Sequence, residues 1–169
     1  YACKVEPPMI DTNSRCDIKA NRKKGSPGVY VDGNRKIGSV GIHVASSRAS
    51  VSGCEAQDNR TGIKVSAVHA KLTGCRVDNM NAGMDVGLDL TTATHYSVSG
   101  QMVQTRGSGT YATGIKFGTA ATSGLVDAYV DASAGITTPV TTPPAGVETR
   151  IVVRRASGMT TVRRELPNG

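Results

Sequence analysis

Apolar and polar residues alternate in short bursts that recur along the chain. Gly41-Ile42-His43-Val44 is followed by Gly62-Ile63-Lys64-Val65, Gly83-Met84-Asp85-Val86 and Gly114-Ile115-Lys116-Phe117, with a degraded copy at Gly135-Ile136-Thr137-Thr138. The glycine spacings are 21, 21, 31 and 21 residues, so one copy carries an extra ten. A second block trails the first at residues 49–54 (ASVSGC), 70–75 (AKLTGC) and 96–101 (YSVSGQ). A fixed period of this size is the mark of a solenoid, in which each repeat buries its apolar face on its neighbours.

Stacking the copies puts Ile42, Ile63, Met84, Ile115 and Ile136 in one apolar column. Val44, Val65, Val86 and Phe117 fill a second, and Val51, Leu72 and Val98 a third. Between the first two stands a polar residue every time: His43, Lys64, Asp85, Lys116 or Thr137. That is a strand with one dry and one wet face, rich in β-branched residues. Gly53, Gly74 and Gly100 sit where a sharp corner needs a left-handed backbone. Asn59, Asn79 and Asn81 lie near the next corner and tolerate the same conformation. Coils of about 21 residues at ~3.3 Å each have a perimeter of roughly 70 Å, enough for three short strands and three corners. The expectation is an all-β, single-stranded parallel β-helix. A helical solenoid is excluded, because 20 glycines among many Ser, Thr and Val leave no room for long amphipathic helices.

At 169 residues the default is one domain, and with no Trp and a single Phe its core must be built from aliphatic ladders. No apolar run is long enough to span a membrane. The chain starts at Tyr1 without a signal-like segment, which reads as a processed product or a fragment. Residues 1–24 form an N-terminal cap or connection, 25–138 the parallel β-helix, and 139–169 a Thr/Pro linker with a C-terminal β-hairpin cap. Within the first coil, Val29-Tyr30-Val31 is the strand. From Thr137 to Ala145 prolines are expected to stop the ladder, since Pro donates no hydrogen bond. Val147 to Leu166, too charged for a buried pair, reads as an oligomer clasp or cap.

The net charge of +7 is concentrated at the ends. Residues 1–41 carry eight Lys/Arg against four acids, and residues 150–169 carry five Arg against Glu165. Basic ends protect a solenoid from edge-to-edge pairing. No aromatic residues are interleaved with base-reading groups, which argues against nucleic acid as partner. Cys54 and Cys75 fall in one column as a reduced thiol ladder, whereas Cys3 and Cys16 lie ahead of the regular coils. No CxxC spacing occurs and His43, His69 and His95 are assigned to different columns, so neither metal nor other cofactor is expected.

The Gly-Ile-x-Val coils, the Thr/Pro exit and the C-terminal β segment resemble right-handed, pectate-lyase-like parallel β-helices, especially bacteriophage tailspike and tail-fibre proteins. Left-handed β-helices favour a hexapeptide rhythm that is absent here. The resemblance implies a homotrimer on a virion, in contact with other tail proteins, that attaches to the host by recognising a bacterial surface polysaccharide. A glycan-cleaving lyase or hydrolase and a secreted bacterial adhesin are the alternatives. Cleavage by this segment is disfavoured. Asp85 and Asp89, like Asp127 and Asp131, are about 13 Å apart along a strand, beyond the carboxylate spacing of glycosidases. Asp58 and Asp78 come from neighbouring coils near one corner, where bonding to the backbone is their simpler role. No catalytic residue is assigned. Ligand contact is placed on insertions around residues 91–95 and 104–111, which gather His95, Tyr96, Arg106 and Tyr111. The alternative role for these loops is contact with a neighbouring subunit.

Overall fold

The computed structural model describes residues 10–11, 17–19, 29–32, 40–45, 48–80, 82–119 and 123–165, the first three stretches as backbone. Among the described residues all regular structure is β. In chain order the strands are β1 (Ile10–Asp11), β2 (Asp17–Lys19), β3 (Val29–Asp32), β4 (Val40–Val44), β5 (Ser50–Ser52), β6 (Cys54–Gln57), β7 (Thr61–Val65) and β8 (Val68–Thr73). They continue with β9 (Arg76–Asn79), β10 (Met84–Leu90), β11 (Thr94–Thr105), β12 (Tyr111–Phe117), β13 (Gly124–Ala132), β14 (Ile136–Val140), β15 (Val147–Arg155) and β16 (Gly158–Arg164).

One sheet runs β1-β4-β7-β10-β12-β14 and the other β2-β5-β8-β11-β13-β15-β16, with β3, β6 and β9 extending the second sheet around a bend. Every pairing is parallel except β15 with β16, so the chain winds as a parallel β-solenoid of about four turns. The expected glycine corners are present: Gly53, Gly74 and Gly100 have φ of 62°, 61° and 62°. In the first coils that corner separates two strands, and in β11 it survives as an irregularity within one long strand.

The core lies between the sheets. Ile42, Ile63, Leu88 and Ile115 project inward from the first sheet, facing Val51, Leu72, Val98 and Val126 from the second, all fully buried. A column of glycines, Gly41, Gly62, Gly87 and Gly114, brings the two walls together. A Cβ on Gly87 would lie 2.4 Å from Val103 Cγ1 and 2.7 Å from the Gly114 carbonyl oxygen. The repeated glycine is therefore a close-approach position opposite the ladder of Ala56, Val77, Val103 and Val130.

The register corrects the repeat in its third coil. Ile63 pairs with Leu88, not Met84, and Leu88 pairs with Ile115. Successive rungs at residues 42, 63, 88, 115 and 140 are thus 21, 25, 27 and 25 apart. Gly83, with φ 79°, belongs to the preceding turn; Gly87-Leu88-Asp89-Leu90 is the true rung. The outward column is accordingly His43, Lys64, Asp89 and Lys116. Extra residues collect at the exit of the second sheet in each later coil instead of in two loops of coil three. There the segments bond to one another: Arg106 N donates to Asn79 O (2.8 Å) and Tyr111 N to Gly135 O (2.7 Å).

Two boundaries also move. β1 and β2 already pair in parallel with β4 and β5, so the ladder begins before residue 25. At the other end, β14 includes Pro139 and pairs with β12. Proline is tolerated because β14 is the edge of its sheet. β15 is likewise a full rung, with Val147, Thr149, Ile151 and Val153 buried under its charged outer face. Only β16 turns back, pairing antiparallel from Thr149↔Arg164 to Arg155↔Gly158.

Candidate functional site: a basic corner groove

At the entry to the second sheet the chain turns a corner that uses no glycine. Arg48, His69 and His95 occupy it in successive coils, with φ of 63°, 59° and 54°. The pairings Ser50↔Lys71, Val68↔Thr94 and Ala70↔Tyr96 place all three in one column. This corrects the assignment of His69 and His95 to different columns. A left-handed backbone costs a side-chain-bearing residue about 1–2 kcal/mol, which glycine would avoid. Three consecutive coils keep a basic or imidazole side chain there.

The rings of His69 and His95 lie 4.9 Å apart between centroids, tilted by 37°. Both are exposed, as are Arg48 one coil below and Lys71 two residues along β8. The next coil brings Ser123 and Gly124 over His95 and Tyr96. Those small residues leave an open groove of about 410 Å³ lined by His69, Ala70, Lys71, His95, Tyr96, Ser97 and Ser123. Tyr96 is its floor: only 4% exposed, its ring lies so close to the backbone of the next coil that a Cβ on Gly124 would meet it at 2.8 Å. Burial pushes the Tyr96 phenol above its ordinary range. The groove therefore presents imidazole nitrogens, an ammonium and hydroxyls, a set suited to an anionic, hydroxyl-rich ligand.

The other residues singled out from the sequence lie elsewhere. Arg106 and Tyr111 are at the opposite end of β11, by the exit corner, so the four do not form one site. Tyr111 is fully buried and Tyr96 nearly so, which removes both rings from any role in stacking on an external sugar. The phenol of Tyr111 is held above its usual range by burial, with the Asp58 and Asp78 carboxylates adding to the effect. Arg106 is half-exposed, but its guanidinium bonds the buried carboxylate of Asp78, which Arg76 also reaches at 3.2 Å. Asp58 accepts a backbone bond from Met80 at 2.7 Å, as the corner role required. The left-handed residue at that corner is Asp58 (φ 55°) and not Asn59 or Asn79, whose side-chain amides instead donate to Gln57 O and Thr110 O. Asn81, Cys3 and Cys16 lie outside the described residues.

Cys54 and Cys75 are free, buried and in the same column, as the repeat required. Contact with Cys75, and then burial, push the Cys54 thiol far above its ordinary range. Among the described residues no three His, Cys, Asp or Glu side chains converge as metal ligands, and no helix is long and apolar enough to cross a membrane. No family model matches the chain, and neither a curated protein nor a solved structure is detectably similar to it.

Proposed function

We propose that this chain is a glycan-binding β-solenoid that holds an acidic surface polysaccharide at the Arg48–His69–His95 corner. The observation that carries the reading is the three successive left-handed residues at that corner, each a cation or an imidazole. Strained side-chain-bearing positions persist where the side chain has work that glycine cannot do. Their neighbours Lys71, Ser97 and Ser123 supply the donors a carboxylated sugar needs. Among the four residues proposed from sequence, His95 and Tyr96 line this groove, while Arg106 and Tyr111 support the exit corner.

The wider setting follows the resemblance to bacteriophage tailspikes and tail fibres: a right-handed rod, assembled as a homotrimer on a virion, that attaches to a bacterial surface polysaccharide. Right-handed winding agrees with the strong rule for parallel crossovers. The hairpin of β15 and β16 serves as the end cap, with Arg164 Nη1 donating to Pro143 O at 2.7 Å to tie β16 to the last connection. Binding is favoured over cutting, because Asp58, Asp78, Asp85, Asp89 and Asp131 are all engaged in corner bonds or ion pairs.

The test is titration against a panel of carboxylated and neutral bacterial polysaccharides. We expect saturable binding to a carboxylated member, weakened by salt and lost in the His69→Ala/His95→Ala protein at unchanged melting temperature. Binding indifferent to these substitutions, or equal affinity for DNA, would refute the groove as a glycan site.

A further inference from the structure

Among the described tyrosines, Tyr96 and Tyr111 are buried, whereas Tyr129 on the second sheet is half-exposed. In β13 the buried residues are Val126, Ala128 and Val130, so Leu125, Asp127, Tyr129 and Asp131 face outward. The neighbouring rungs are in register. Tyr129 pairs with Met102 on β11 and Val152 on β15, while Asp127 pairs with Arg150 and Asp131 with Arg154. Met102, Tyr129 and Val152 therefore form a half-buried apolar strip across three rungs. Two carboxylates and two guanidiniums frame it, and Arg154 Nη1 approaches Asp131 Oδ2 at 3.6 Å.

We propose that this face is a second sugar subsite, centred on Tyr129, that takes an uncharged hexose unit of the same polysaccharide. The apolar strip fits the C–H face of a pyranose, which packs on a phenol ring without desolvating hydroxyls. Around it, Asp127 accepts hydrogen bonds from sugar hydroxyls and Arg150 and Arg154 donate them, with Asp131 holding Arg154 in place. The four framing groups balance, two acids against two bases. The next arginines in register, Arg76 beside Met102 and Arg163 beside Arg150, are paired with Asp78 and Glu165. A neutral polyhydroxylated ligand matches this frame. Its position suits a chain already held in the groove. Ser123 lines the groove and Tyr129 stands six residues farther along the chain, past the bend marked by Gly100 in the neighbouring rung, so at most roughly 20 Å away at strand spacing, a distance that several linked sugars span. The ligand's path then runs across the rod, along β13. This subsite rests on the glycan reading of the groove.

The experiment uses the tightest-binding carboxylated polysaccharide of the panel, cut into sized fragments from disaccharides upward. Affinity of the unaltered protein should rise with length until the fragment reaches Tyr129, then level off. Tyr129→Ala should weaken the long fragments roughly fivefold or more and leave the shortest acidic fragments unchanged, with Tyr129→Phe near the parent. His69→Ala/His95→Ala should weaken fragments of every length. If Tyr129→Ala binds long fragments as well as the parent does, the subsite is refuted while the groove stands. A change of oligomeric mass in Tyr129→Ala would also overturn it, by making the face a subunit interface. Failure of the parent protein to bind any fragment would remove groove and subsite together.

Discussion

Adjacent residues on one strand carry opposite demands, and Ile63 and Lys64 are the clearest pair. Ile63 is fully buried between Ile42 and Leu88, whereas Lys64 points outward beside Asp89. Ile63→Asp buries an unpaired carboxylate and should unfold the rod, while Lys64→Asp, which sets a second carboxylate beside Asp89, should cost no more than about 1 kcal/mol and leave the far-ultraviolet circular dichroism unchanged. Equal sensitivity at the two positions would contradict the register. The left-handed corner makes a reciprocal case. His95→Gly removes backbone strain and should hold or raise stability, by up to about 1 kcal/mol, even as polysaccharide binding falls. A destabilised glycine variant would mean the imidazole is there for packing. Charge adds a pH effect. Arg60 donates to Asp85 at 2.8 and 2.9 Å, and the Arg60 guanidinium holds the Asp85 carboxyl below its ordinary value of 3.8. The folded value is depressed, so this contribution is present above pH 3.8 and fades as pH drops below it. Asp85 is half-exposed, so the effect is small. The melting temperatures of the parent and Asp85→Asn should differ at pH 6 and converge toward pH 3.

At the scale of the strand, alternation made β4, β7 and β12 legible, together with the Gly53, Gly74 and Gly100 corners. The third coil misled because a turn glycine, Gly83, precedes a sequence that imitates the rung. The real rung four residues later has Gly87 in the close-approach column, a constraint visible only once the opposite wall is in place. Gly87→Ala should cost about 1–3 kcal/mol in chemical denaturation, as overpacking does. Val103→Ala should rescue it only in part, because the Gly114 carbonyl still obstructs the new methyl. The basic corner was also within reach of the sequence. Aligning residues 49, 70 and 96 puts Arg48, His69 and His95 in one column directly ahead of them. What alternation could not reveal was their left-handed backbone, or that aromatic residues in apparent loops are core. Tyr111 opens β12 facing inward, and Tyr96 occupies an inward position of β11. Tyr129 is hidden for the opposite reason: in sequence its framing Asp127 and Asp131 read only as a carboxylate pair spaced too widely for catalysis.

For the whole molecule, the last strands carry their own test. β14 closes one sheet with Pro139 at its edge, and β15 is a rung with a buried inner face. β16 alone is added from outside, with Val162 against the core and Arg164 bonded to Pro143 O. Truncation after Ala156 should therefore lower the melting temperature and expose β15 to association, read by light scattering as higher-order species. A truncated protein as stable and as uniform in size as the parent would show that β16 caps nothing. The claim on which the functional account turns is that the left-handed basic corner exists to hold an acidic glycan. Its most direct measurement is calorimetric titration of the parent and of His69→Gly/His95→Gly with carboxylated polysaccharide at low salt. The account predicts tight binding by the parent and none by the glycine variant, at equal or greater stability. Undiminished binding by the glycine variant would contradict it.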